Sequence, residues 1–148
     1  MKGQVSTELL VIVALVLLIF IPLLVLVYFK ANDANQQIAS YQAELSVSRI
    51  ASLSNSVGSL GTNTSVTTDI FIPQNTERLS ITNAGGGSEI SLELETPQGS
   101  TEIVEVIKYP LEADVELADS SAAGGWMRIK VTSTYEGGRA TLTVEQIK

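Results

Sequence analysis

Leu9-Leu10-Val11-Ile12-Val13-Ala14-Leu15-Val16-Leu17-Leu18-Ile19-Phe20-Ile21-Pro22-Leu23-Leu24-Val25-Leu26-Val27-Tyr28-Phe29 is a run of 21 residues without a charge. As a helix rising about 1.5 Å per residue it is roughly 31 Å long, the thickness of a bilayer's hydrocarbon core. The run therefore reads as a membrane span. From Ala31 onward the 148-residue chain changes texture, rich in Ser, Thr, Gly and Glu with five aromatic residues, and reads as a soluble domain. Lys and Arg number 9 against 16 Asp and Glu, a formal net charge of -7. Phosphate binding needs clustered cations, and the basic residues here are scattered, so nucleic acid is not expected as a partner. Cys and His are both absent. That removes disulfides, thiol nucleophiles, imidazole general bases and thiolate or imidazole metal ligands.

The kind of N-terminal segment decides the function. A secretory signal has a basic start, about 7 to 15 apolar residues and a small-x-small cleavage site. Here the apolar run is longer, and Tyr28-Phe29-Lys30-Ala31-Asn32-Asp33-Ala34 offers no convincing Ala-x-Ala. A plain signal anchor leaves unexplained the polar residues packed before the span: Lys2, Gly3, Gln4, Ser6, Thr7 and Glu8. A carboxylate abutting such a run needs the interface, a proton or a cationic partner, because burial unpaired costs several kcal/mol.

Lys2-Gly3-Gln4-Val5-Ser6-Thr7-Glu8-Leu9, followed by the span, resembles the class III signal peptide of archaeal type IV pilins: a basic residue, Gly, then Gln-x-Ser-x-Glu. The resemblance covers about the first 30 residues. It implies cleavage after Gly3, with Gln4 becoming the first mature residue, the apolar helix retained, and Glu8 falling where such pilins keep a carboxylate. Archaellins share the plan but usually lack the Gln-x-Ser-x-Glu pattern. Cutting after Gly3 would create an ammonium at Gln4, one helical turn before Glu8. In a core of packed apolar helices Glu8 would neutralise that amine, in its own or a neighbouring subunit, and so set axial register; a buried ion pair is better suited to specificity than to stability. The plain alternative is an interfacial Glu8. Pro22 removes one hydrogen bond inside the span, so a kink or loosened turn is expected around residues 18–22.

Beyond the span, Ile38, Tyr41, Leu45, Ile50, Leu53, Val57 and Leu60 recur mostly at intervals of three or four. The spacing predicts a helical continuation over 31–60 with this apolar face against the domain, ending at Gly58 or Gly61. After Gly61 the period becomes two. Strands are expected at Val66–Ile72, Ser88–Glu95, Thr101–Tyr109, Leu111–Leu117, Trp126–Tyr135 and Arg139–Ile147, separated by glycine- and proline-bearing turns. Gly137-Gly138 between two alternating runs suits a tight hairpin. Met127, Ile129 and Val131 are expected inside with Leu142 and Val144.

Other features have a functional and a plain reading. Glu112, Asp114 and Glu116 share one face of an expected strand, either as a hard-cation or acid site or as a solvated face that blunts edge pairing. Asn63-Thr64-Ser65 is an N-glycosylation sequon in a polar loop. Trp126 is a partner contact or a packed residue. Gly85-Gly86-Gly87 is followed by no Lys and no expected helix, and reads as a turn.

The expected fold class is α+β: a long N-terminal α-helix, transmembrane or filament core, followed by a mainly antiparallel β-sandwich-like domain. Residues 1–3 are the expected leader, 4–60 the helix (apolar span 9–29, amphipathic continuation 31–60), and 61–148 the β-rich surface domain. The resemblance implies a structural subunit of a pilus, membrane-inserted as precursor and extracellular once assembled, serving adhesion. Its implied partners are identical subunits in a helical filament, a prepilin peptidase, an assembly ATPase and a membrane platform protein. No catalytic, cofactor-binding or metal-binding residue is expected. The rival reading is a single-span protein displaying a β-sandwich binding domain without polymerising.

Overall fold

The computed structural model describes residues 2–97, 99–118 and 124–147. One helix, α1 (Lys2–Leu60), precedes seven strands: β1 (Thr64–Ile72), β2 (Thr76–Ala84), β3 (Gly87–Thr96), β4 (Gly99–Ile107), β5 (Val115–Ala118), β6 (Gly125–Glu136) and β7 (Arg139–Ile147). The architecture is α+β, as expected. The helical assignment runs through Pro22 without a break, and Gly61, at φ 96°, follows its last residue. A left-handed glycine at that place is the usual helix stop.

The chain divides into two compact units, Met1–Gln37 and Ile38–Lys148. The C-terminal part of α1, residues 38–60, thus belongs to the β-rich unit. In the first unit every described side chain from Leu9 to Phe29 is exposed. By length and composition this helix is able to cross a membrane.

In the second unit all strand pairs are antiparallel, in two sheets ordered β1-β6-β7 and β4-β3-β2-β5. The sheets adjoin where the segment before β5 meets β7: Leu111 bridges Leu142, with Glu112 N–H donating to Leu142 O and Leu142 N–H to Pro110 O. Asn83 closes the seam, its side chain accepting from Leu111 N–H at 2.7 Å and donating to Leu111 O at 3.1 Å. Strands β1 and β4 are left as outer edges, and both meet α1. The Ser46 hydroxyl reaches the Phe71 carbonyl of β1, and the Asn55 side chain accepts from Lys108 N–H, just past β4, at 2.8 Å. Strands therefore line up on both sides of the helix.

One hydrophobic core joins α1 to both sheets. From the helix come Ala43, Val47, Ile50, Ala51 and Val57; from the strands come Ile70, Leu79, Ile81, Ile90, Leu92, Ile129, Val131 and Leu142 among others. The expected inward set Ile129, Val131, Leu142 and Val144 is buried, with Met127 packed partly against it. The expected helix face needs correction. Ile50 and Val57 are buried and Leu53 is half-buried, whereas Ile38, Tyr41, Leu45 and Leu60 are exposed. The buried ladder is Ala43, Val47, Ile50, Ser54 and Val57, flanked by Ser46 and Ala51, so the face turned to the core carries several small side chains.

Two strand expectations also change. Strand β2 was not expected, and in place of the expected Leu111–Leu117 strand only the shorter Val115–Ala118 forms, since Leu111 is committed to the seam. The glycine turns stand as expected. Gly137 and Gly138 have φ of 61° and 87°, the positive values a two-residue hairpin of this hand requires. Gly85 and Gly86 turn β2 into β3 with positive φ, while a Cβ on Gly87 would sit 2.5 Å from the Ile107 carbonyl oxygen.

Candidate assembly surface

The N-terminal unit is the first part of the surface. Gly3 and Gln4 fall in the first turn of α1, with side chains outside the described residues. Glu8 is exposed and lines a shallow notch with Thr7, Val11 and Ile12. The helical backbone sets Gln4 and Glu8 four positions apart, about 6 Å along the axis and on one face. From Leu9 the helix is apolar on all sides, the pattern of a helix made to be surrounded by lipid or by other helices.

The second part lies on the β-rich unit. Trp126 follows Gly125, the first residue of β6, and is 73% exposed, so it is not a core residue. It pairs across strands with Phe71 of β1, the rings edge to face at 5.5 Å between centroids. Beside them the exposed turn of α1 contributes Leu45, 70% exposed, and Arg49. Leu45, Phe71 and Trp126, with Gln42, Ser46, Arg49 and Ile70, line an open groove of about 350 Å³. The signal for it was present in Leu45 and Trp126 but was absorbed by an expected buried helix face and by an undecided tryptophan.

The acidic trio does not form one site. Glu112 accepts from the Thr143 hydroxyl at 2.9 Å, Asp114 accepts from Asn83 N–H at 2.8 Å, and Glu116 pairs with Arg78 at 3.3 Å. Among the described residues no group of three or more acidic side chains is placed to hold a metal ion. Asn63 sits between α1 and β1, exposed, with φ 61° and its N–H donating to Ser133 O at 2.8 Å. Asn tolerates that left-handed conformation better than most residues, so the sequon is also a turn.

Next to the groove, Arg128 pairs with Asp69 across β1 and β6, donating from Nε at 2.8 Å and Nη2 at 3.2 Å. These hydrogen bonds and the opposite charge hold the Asp69 carboxyl below its usual range, against a smaller opposing desolvation. The unfolded carboxyl titrates near 3.9, so the pair's contribution is present above that pH and is lost as pH falls through the depressed folded value. An Asp69→Asn chain is expected to melt slightly below the unsubstituted one at pH 7. The gap between the two melting temperatures should close as pH falls through the depressed folded value and shrink at high salt. A gap that widens in acid would contradict the pairing.

No protein-family model, curated protein or solved structure matches the chain.

Proposed function

We propose that the chain is a pilin, the structural subunit of an archaeal type IV pilus, made as a membrane precursor, cleaved after Gly3 and polymerised through its apolar helix into an extracellular filament for surface attachment. The observation that carries this reading is the order Lys2-Gly3-Gln4-Val5-Ser6-Thr7-Glu8 immediately before the stretch of α1 from Leu9 to Phe29, whose side chains are apolar and exposed. In a filament core these side chains exchange lipid for one another. The β-rich unit then forms the outer wall. A prepilin peptidase, an assembly ATPase and a polytopic platform protein are the partners such a cycle requires, and no turnover of a substrate is part of it. Asn63 is the proposed glycan acceptor.

The test is the N-terminus and intact mass of the chain sheared from the surface of cells that express it. A chain beginning at Gln4 in a sedimentable filament is the expected result, and any glycan on Asn63 appears in the same mass. A chain beginning at Met1 and released only by detergent would overturn the proposal in favour of a tethered binding module. For the register role of Glu8, a Glu8→Val chain is expected to be processed yet to polymerise at least about tenfold more slowly, the consequence of leaving the new amine unpaired in an apolar core. Polymerisation at the normal rate would remove that role.

A further inference from the structure

Among the exposed apolar side chains described on the β-rich unit, two groups lie beside charges of opposite sign. The first is the groove where α1 meets β1, with Leu45, Phe71 and Trp126 as walls and Arg49 at the rim. The Arg49 guanidinium donates to the Thr68 hydroxyl at 3.1 Å; its charge also acts on the nearby Asp69 carboxylate, but it makes neither of the ion pairs found among the described residues, Arg78–Glu116 and Arg128–Asp69. The second is on β4, an end strand of its sheet, where Val104 and Val106 lie two residues apart on one face and are exposed. Their cross-strand partners are Ser91 and Glu89, and Glu102 on the same face stands directly opposite Glu93. Like charges in that position repel; Arg78 of β2 stands on the other side of Glu93 but is paired with Glu116, so the carboxylates of this face outnumber its cation. The groove lies on the β1 side of α1, while β4 runs to Lys108, which binds Asn55 on the helix's other flank.

We infer that these are the two halves of one head-to-tail contact between β-rich units of successive copies of this chain: the groove walled by Leu45 and Trp126 receives Val104 and Val106 of the next copy, and its Arg49 faces that copy's Glu102 and Glu93. A second copy is the occupant because one chain carries both members of the match, apolar to apolar and cation to carboxylate. Exposed apolar patches rimmed by polar groups mark such contacts. The two surfaces are different, so the contact is heterologous; repeated, it generates an open array instead of a closed dimer. The inference rests on the pilin reading and names the contact made by its outer wall. The buried apolar centre supplies affinity, and the rim charges supply orientation.

The chain has no cysteine, so introduced thiols report without background. In full-length chains carrying Leu45→Cys together with Val104→Cys, both at exposed sites, mild oxidation of sheared filaments is expected to give a ladder of covalent multimers. Each single variant should stay monomeric, and filaments mixed from the two should give dimers only. Adding Arg49→Glu should lower the cross-linking yield about threefold, and Glu102→Arg on top of it should restore the yield. Filaments that form normally while the double variant stays monomeric would overturn the contact and leave the pilin reading intact. So would dimers from Leu45→Cys alone, which mean a symmetric contact, or cross-linking of Leu45→Cys to Val16→Cys in place of Val104→Cys, which means that another copy's apolar helix fills the groove. If no filament sediments, the pilin reading fails. The same oxidation in detergent then decides the contact: a ladder sustains it and monomers overturn it.

Discussion

An Ile50→Ala chain is expected to lose about 3 kcal/mol of the stability of its β-rich unit, the usual cost of truncating a large aliphatic side chain in a closed core. Ile50 is fully buried on α1, in the cluster that joins the helix to both sheets. The cavity left behind is bounded by elements already tied to one another, by β1 to Ser46 on one side and Lys108 to Asn55 on the other. Collapse to refill it is therefore restricted. Denaturant unfolding of the full chain in detergent micelles checks this: the midpoint should fall with an unchanged slope, which marks a change in stability and not in the surface exposed. Leu45→Ala, one and a half turns away but exposed, is expected to stay within about 0.5 kcal/mol of the unsubstituted chain. Equal losses at the two positions would mean that the buried face of the helix is misassigned.

Gly58→Val is expected to be as damaging, at about 3 kcal/mol, although it replaces glycine within a helix. A Cβ built at Gly58 would lie 2.3 to 2.7 Å from three ring atoms of Tyr109, Cδ2, Cε2 and Cγ. The ring cannot simply swing away, because its own backbone carbonyl accepts from the Ser88 hydroxyl at 2.8 Å and its near end is among the clashing atoms. Relief of glycine's helix penalty offsets under about 1 kcal/mol of this, and valine recovers only part of that. The decisive measurement is a double-mutant cycle. Tyr109→Ala vacates the space, so Gly58→Val should cost markedly less in that background, a coupling of about 1 kcal/mol or more. Additive losses would place the cost in helix propensity and not in the contact.

The long helix was legible in the sequence because 21 uncharged residues admit few other readings, and the hairpins were legible where a turn type demands glycine, as at Gly137 and Gly138. Strand β2 was not, for a physical reason. Its register slips between Thr76 and Arg78, so its buried residues fall at Thr76, Leu79 and Ile81, and the step of three breaks the alternation that marks a strand. Only two of those three are apolar. The same strand is nevertheless central, paired with β3 on one side and β5 on the other. The helix face was misread for the opposite reason. Ranking by hydrophobicity selects Ile38, Tyr41 and Leu45, yet the face turned to the core mixes Val47, Ile50 and Val57 with Ala43, Ser46, Ala51 and Ser54, and Ile38, Tyr41 and Leu45 lie outside it. That misreading also concealed the groove, since a residue assigned to the core is not examined as a surface. The acidic trio at Glu112 to Glu116 read as one face because a continuous strand was expected; the seam at Leu111 breaks that strand and sends each carboxylate to a different partner.

Because α1 supplies one wall of the core of the β-rich unit, a pull applied through residues 31–37 would, on the pilin reading, reach that unit through the helix and not through a peripheral strand. Drawing α1 out requires Val47, Ile50 and Val57 to leave the core together, along with the hydrogen bonds at Ser46, Arg49 and Asn55. Such loading is shear spread over four turns, not the unzipping of one pair at a time. Resistance to it is a matter of unfolding rate more than of equilibrium stability. If the chain is the proposed filament subunit, an anchorage of this kind is expected to give way as one event and not strand by strand.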